Sequence, residues 1–156
     1  MSILTPLVLV VNGPNLDKLG TREPEIYGSM TLADIERGLR ERASELGLAV
    51  EFFQSNVEDE VVAAVEKAPA NGSAGIIINP AALTHFSYPL REALAATGLP
   101  VVEVHISNIH AREPFRRLSL VSGVAKGVIA GLGVNGYTLA LEAIAGMVGV
   151  PQKGAE

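Results

Sequence analysis

The apolar residues of this chain keep two alternating rhythms. Leu7 to Val11 is an unbroken, mostly β-branched run that stops at Asn12-Gly13, as expected of a strand covered on both faces. Leu32, Ile35, Leu39, Ala43 and Leu46 then recur at helical spacing, with Thr31 as a cap and Gly47 as a stop, which predicts an amphipathic helix. Leu48 to Phe53 returns to strand character, and Val57, Val61, Val62, Val65 and Ala68 return to helical spacing until Pro69. Gly75 to Ile78 predicts a third strand ending at Asn79-Pro80, and Ser87 with Pro89 opens a helix through Leu90, Ala93 and Leu94 to Gly98. Pro100 to Ser107 reads as a fourth strand, and a short helix is expected after Pro114. Lys126 to Leu132 reads as a fifth strand. Asn135 or Gly136 begins a last helix with Tyr137, Leu141, Ile144 and Val148 on one stripe, and a loose tail is expected over about 150–156.

This alternation predicts one α/β domain over residues 1–156: a flavodoxin-like, doubly wound, five-stranded parallel sheet with strand order 2-1-3-4-5. Such sheets bind ligands outside the carboxyl ends of their strands, because crossovers leave a crevice there. The polar stretches fall at those ends: Asn12 to Gly28, Gln54 to Asn56, Asn79 to His85, Glu103 to Arg117 and Gly131 to Gly136. Strand-to-helix connections usually take about two to six residues, so the long stretch from Asn12 to Gly28 reads as a binding loop. Its residues from about 18 to 26, with a helix-hostile Glu23-Pro24 pair, are expected to lack regular structure and to act as a mobile lid. Arg22 and Tyr27 could meet within it.

Period-two alternation in the fourth strand puts Val102, Val104 and Ile106 on one face and Val101, Glu103, His105 and Ser107 on the other. A carboxylate beside an imidazole orients it and favours its protonated form, which suits an acid catalyst; a buried histidine satisfied by its neighbour is the competing reading. Tyr27 by itself is more often a loop anchor than a base, and Arg112, Arg116 and Arg117 by themselves are more often a solvated face. Their convergence on one rim is the stronger indication. Gly131 to Gly136 matches G-x-G-x-x-G between a strand and a helix. A dinucleotide fingerprint needs an acidic residue about 20 positions on, after a second strand, and only a helix and tail remain, so a tight turn is expected.

Composition narrows the classes. With 48% hydrophobic and 19% charged residues over 156 positions, the chain can bury a full core, and it has no apolar run of membrane-spanning length. No basic-then-apolar leader is visible, so a cytoplasmic setting is expected. The absence of cysteine removes disulfides, thiolate chemistry and cysteine-bound zinc, and His85, His105 and His110 are the only imidazoles; no metal is expected. A net charge of −5 argues against nucleic acid, while Arg112, Arg116 and Arg117 suit a small anion.

The motifs together resemble those of the type II 3-dehydroquinate dehydratases, shikimate-pathway enzymes that convert 3-dehydroquinate to 3-dehydroshikimate and water. The matching pieces cover nearly the whole chain: Asn12-Gly-Pro-Asn-Leu, Leu19-Gly-x-Arg-Glu-Pro-Glu-Ile-Tyr-Gly28, Ile78-Asn-Pro, Leu83-Thr-His85, Glu103-Val-His-Ile-Ser-Asn108, His110-Ala-Arg-Glu113 and Gly131-Leu-Gly133. The resemblance implies Tyr27 as general base with Arg22 as the lid residue beside it. It implies Asn15 stabilising an enolate through an ordered water, and His105 as general acid supported by Glu103. The substrate carboxylate would meet the backbone N–H groups of Ile106 and Ser107 and the Ser107 hydroxyl, while Asn79, His85 and Arg116 take the ring hydroxyls. No cofactor, metal or lysine imine is implied, and neither is any membrane or nucleic-acid partner. The family's trimers group into a dodecamer, in which the acidic residue after Leu90-Arg91 reaches a neighbouring subunit's site. That residue is Glu92 here where the family often has Asp, and Phe86 stands where it commonly has Thr or another small residue; both departures bear on the pocket wall.

The chemistry fits these residue types. Loss of water from a β-hydroxy ketone needs a base for the proton α to the carbonyl and a holder for the enolate. An unperturbed tyrosine is only about 0.1% phenolate at pH 7, a cost of about 4 kcal/mol that a nearby arginine reduces, and Arg22 is the candidate. Two rival classes make different demands. A flavin- or phosphate-binding module needs a Ser/Thr/Gly-rich loop after the first strand, which is absent, and a dinucleotide oxidoreductase built on Gly131 to Gly136 would bind NAD.

Overall fold

The computed structural model describes residues 5–21 and 23–149. Five parallel strands form one sheet in the order β2-β1-β3-β4-β5: β1 Leu7–Asn12, β2 Ala49–Gln54, β3 Ser73–Asn79, β4 Val101–His105 and β5 Gly127–Ala130. The helices are α1 Pro24–Tyr27, α2 Leu32–Leu46, α3 Glu58–Lys67, α4 Tyr88–Ala96 and α5 Asn135–Met147. The expected sheet, its strand order and the helices between its strands are all present. The expected loose tail lies outside the described residues. None of the described helices is long and apolar enough to cross a membrane.

Strand alternation divides the core in two. Val8, Val10, Ile77, Val102 and Val104 face α2 and α5, burying Ile35, Leu39, Tyr137, Leu141 and Ile144. Leu9, Val11, Ile76, Ile78 and Val101 face α3 and α4, burying Val61, Val65, Leu90 and Leu94. Coverage on both faces is why the central strands read as continuous apolar runs and not as alternating ones.

Local chemistry sets the helix ends. Thr31 Oγ accepts from the Asp34 N–H at 3.1 Å while the Asp34 carboxylate accepts from the Thr31 N–H at 3.0 Å, a reciprocal cap that starts α2. The Arg37 guanidinium, followed by the Thr31 contacts, holds the Asp34 carboxyl down at about 2. Ser87 caps α4 through the Leu90 N–H at 3.1 Å. The glycine-rich turn before α5 packs tightly, as expected: Gly131 has φ +88°, and a Cβ there would stand 2.9 Å from Asn108 Cβ.

Two expectations are corrected. Residues 18–26 are not devoid of regular structure, because a 3₁₀ turn at Leu16–Lys18 ends at the first of them and α1 begins at Pro24. Glu23-Pro24 does not oppose a helix here, since proline is tolerated at the first helical position, where its missing N–H has no intrahelical partner anyway. Leu16 and Leu19 are buried in the α2 side of the core and pin the loop, leaving Thr21, Glu23, Pro24 and Glu25 exposed. The segment after Pro114 is a single 3₁₀ turn at Pro114–Arg116.

Candidate active site

In the parallel register Asn12 stands between Gln54 and Asn79, and His105 stands beside Ala130, so the carboxyl ends of the strands form one rim. A cleft of about 160 Å³ opens on this rim. Asn15, Tyr27, Asn79, His85, His105, Ile106, Ser107 and Arg116 line it, together with Lys18 and Arg112. Phe86 and Glu92 are exposed, and neither lines the cleft of a single chain. The Phe86 side chain stands in solvent after the 3₁₀ turn, and Glu92 is exposed on α4, so any part they take in a pocket wall is outside the cleft of their own chain. Arg22 lies outside the described residues.

The loop reaches the cleft because its backbone is tied on both sides. Gly13 crosses so close to Pro80 that a Cβ would stand 2.4 Å from the Pro80 carbonyl oxygen, and its N–H donates to the Asn79 carbonyl at 2.9 Å. Asn15 adopts the left-handed region at φ 70°, which asparagine tolerates, and its N–H donates to Asn56 Oδ1 at 2.8 Å. Asn15, Glu23 and Ala81 are the non-glycine residues with positive φ among the described residues; Asn15 and Ala81 line the cleft, where backbone strain commonly concentrates.

From α1 Tyr27 lines the cleft. Its hydroxyl accepts from Arg112 Nη1 at 2.7 Å, and the guanidinium lies 5.4 Å from the ring centre. Arg112 Nη1 also reaches Ser107 Oγ at 3.3 Å. Among the described residues the cation on the tyrosine is therefore Arg112, the role the sequence assigned to Arg22. The arginine cluster divides: Arg112 and Arg116 line the cleft, and Arg117 is exposed outside it. Arg116 stacks over Phe115 at 4.8 Å, and its Nε donates to Glu113 at 2.6 Å. That bond holds the Glu113 carboxyl below its usual range.

From β4 His105 lines the same cleft, with its Nε2 bonded to Glu103 Oε2 behind it. Glu103 is fully buried. Burial is the largest single influence and opposes its ionisation, but the bonds and charge of His105, with those of Ser122 and Ser119, together hold the carboxyl below its usual value. Ser122 Oγ donates at 2.7 Å and Ser119 Oγ at 3.0 Å. His85 Nδ1 donates to the Leu118 carbonyl at 2.7 Å, which leaves Nε2 of the neutral ring as an acceptor, and its ring meets Phe115 edge-on.

Beneath the cleft Tyr137 is a buried hub. Its hydroxyl donates to Asn12 Oδ1 at 2.6 Å and accepts from Asn79 Nδ2 at 3.0 Å, while Asn79 Oδ1 accepts from the Ala81 N–H at 3.2 Å. Burial, more than the Asn79 bond, sets the Tyr137 hydroxyl and pushes it above the usual phenol value, so it remains a proton donor. Arg112, Ser119, Ser122 and Tyr137 are the site residues that sequence reasoning did not assign. Only Arg112 had a signal, its place in a cluster of like charge.

A doubly wound α/β protein with a cationic cleft at the carboxyl edge of its sheet, lined by a tyrosine–arginine pair and by a histidine bonded to a buried glutamate, is the class that fold and site define. The model of the dehydroquinase class II family matches residues 6–145. A 3-dehydroquinate dehydratase from Methylococcus capsulatus is 57% identical over 136 residues, spanning 87% of this chain and 92% of that one. A 3-dehydroquinate dehydratase 2 from Corynebacterium efficiens is 59% identical over 140 residues, spanning 88% and 96%. The crystal structure of a type II dehydroquinase from Propionibacterium acnes superposes with a TM-score of 0.88 at 45% identity, covering 93% of this chain and 99% of that one. The chain belongs to the dehydroquinase class II family, and it is an enzyme of that family.

Proposed function

We propose that the chain dehydrates 3-dehydroquinate to 3-dehydroshikimate in the shikimate pathway, by anti elimination through an enolate with Tyr27 as base and His105 as acid. One observation carries the mechanism: Arg112 Nη1 sits 2.7 Å from Tyr27 Oη, in the cleft that His105, bonded to the buried Glu103, also lines. The guanidinium offsets the charge of a phenolate at the position where a base is needed. The phenolate takes the proton α to the carbonyl, and electron density moves onto the ketone oxygen. Asn15, held in its left-handed turn, positions a water against that oxygen. The imidazolium of His105 protonates the departing hydroxyl as water, and the enolate collapses to the conjugated enone.

Binding follows from the remaining groups. Ser107 Oγ accepts from Arg112, so its own proton is available to the substrate carboxylate, beside the backbone N–H groups of Ile106 and Ser107. Asn79 keeps one amide hydrogen beyond its bond to Tyr137, and His85 Nε2 and the Arg116 guanidinium complete the contacts to the ring hydroxyls. We assign Arg22 to the lid beside the base. The exposure of Glu92, away from its own cleft, fits a carboxylate that serves a neighbour in a trimer, with trimers grouped into a dodecamer.

Growth of absorbance in the enone band on adding 3-dehydroquinate tests the reaction. Tyr27→Phe should nearly abolish turnover and keep KM within roughly tenfold of wild type, because the base acts in the transition state. Turnover above about a tenth of wild type would remove Tyr27 as the base.

A further inference from the structure

We propose that Ser119 is a positioning residue for the acid: it holds Glu103 as an acceptor-only carboxylate and so commits His105 to a proton on Nε2, leaving Nδ1 as the nitrogen that serves the substrate. The inference rests on His105 being the acid, and adds a residue 16 positions beyond Glu103 that nothing in the local sequence connects to it. A serine hydroxyl has one proton and two acceptor sites. Ser119 Oγ accepts from the Val121 N–H at 3.2 Å and from the Ser122 N–H at 3.1 Å, which occupies both. Its proton must then be given away, and Glu103 Oε1 and Oε2 stand at 3.1 and 3.0 Å.

Direction follows from this count. Ser119 offers Glu103 no acceptor, so a protonated Glu103 could donate only toward Ser122 or His105 Nε2. Ser122 and Ser119 both donating to a fully buried carboxyl favours the anion, and the anion requires Nε2 to carry the hydrogen. When the imidazolium gives its Nδ1 proton to the departing hydroxyl, the ring becomes the neutral Nε2–H tautomer and Glu103 keeps its charge. The same short segment also seats His85, through the Leu118 carbonyl, and is pinned by the Leu120 N–H on the Thr84 carbonyl at 2.9 Å. Lys18, Tyr27, His85, Arg112 and Arg116 are the other titratable groups lining the cleft that His105 faces.

The test is nitrogen NMR on the full-length enzyme labelled with ¹⁵N-histidine, with His105 assigned by its loss in His105→Gln, together with kcat and KM. Wild type near neutral pH should show His105 protonated at Nε2. Ser119→Ala should mix the two tautomers and lower kcat by about 10- to 100-fold, the range of one hydrogen bond to a charged group, with KM within about threefold. Ser119→Thr, which keeps the hydroxyl, should restore both readouts. A wild-type ring protonated only at Nδ1 would overturn the proposal without any serine variant, whether or not Ser119→Ala folds. So would a folded Ser119→Ala enzyme with wild-type kcat and an unchanged ring signal. A His105→Gln enzyme with near-wild-type kcat would instead overturn His105 as the acid, an outcome separable from the wild-type tautomer.

Discussion

Removing the guanidinium from the base is the perturbation that tests the site most directly. Arg112→Ala deletes the 2.7 Å bond to Tyr27 Oη and the longer 3.3 Å contact to Ser107 Oγ. A hydrogen bond from a cation contributes about 1.5–3 kcal/mol, and it matters most when the tyrosine is anionic. With about 1.4 kcal/mol per factor of ten, kcat should fall about 10- to 150-fold. The Ser107 contact is long and should add only a few-fold increase in KM. Arg112→Lys keeps a charge but not the position of the guanidinium Nη1 that reaches both oxygens, so it should recover part of the loss. Steady-state turnover followed in the enone band, at saturating substrate, measures all three enzymes. The sharper assay is a double-mutant cycle: if Arg112 acts through the phenolate, Arg112→Ala in a Tyr27→Phe background should cost little beyond Tyr27→Phe alone. Arg112→Ala within about twofold of wild-type kcat, or an equal loss in both backgrounds, would refute the pairing.

Tyr137→Phe leaves Asn12 Oδ1 and Asn79 Nδ2 buried without their partner, so stability should fall by about 2–4 kcal/mol and KM should rise more than kcat falls; an unchanged denaturation midpoint would contradict the hub. Glu103 titrates below its ordinary value of 4.5 in the folded state, so its stabilisation is complete above that pH. As pH falls below 4.5 the unfolded chain takes up a proton that the folded chain does not, and this contribution is lost as pH passes through the folded value. Denaturation across the acid range should therefore be less steep in Glu103→Gln, and identical slopes would count against the buried anion. For Glu92, mixing the Tyr27→Phe and Glu92→Ala enzymes under subunit exchange should restore activity, since some mixed sites regain both groups. Full activity of Glu92→Ala alone, or no recovery after verified exchange, would exclude a carboxylate acting across subunits.

Most of the architecture was legible because it depends on short-range spacing. The period of two separated Val102 and Val104 from Glu103 and His105, and each set occupies its own face of the sheet. Thr31 and Gly47 bound α2 as read, because a cap is a local hydrogen-bond requirement. The loop after β1 was harder, since Pro24 stops a helix in most contexts and starts one here. Its first turn needs no proline N–H, and packing of Tyr27 against the core supplies the stability that four residues lack by themselves.

By itself the sequence determined which residues face the core, where strands give way to loops, and that Tyr27, Asn79, His85 and His105 would share one rim, because each follows from periodicity and from where strands end. Tertiary structure alone decided the pairings across that rim. Arg112 meets a tyrosine 85 residues away, Tyr137 meets an asparagine 125 residues away, and Ser119 turns its proton onto a glutamate of the preceding strand. Spacing along a chain specifies the face a side chain occupies; which distant loop closes on it depends on strand order and packing.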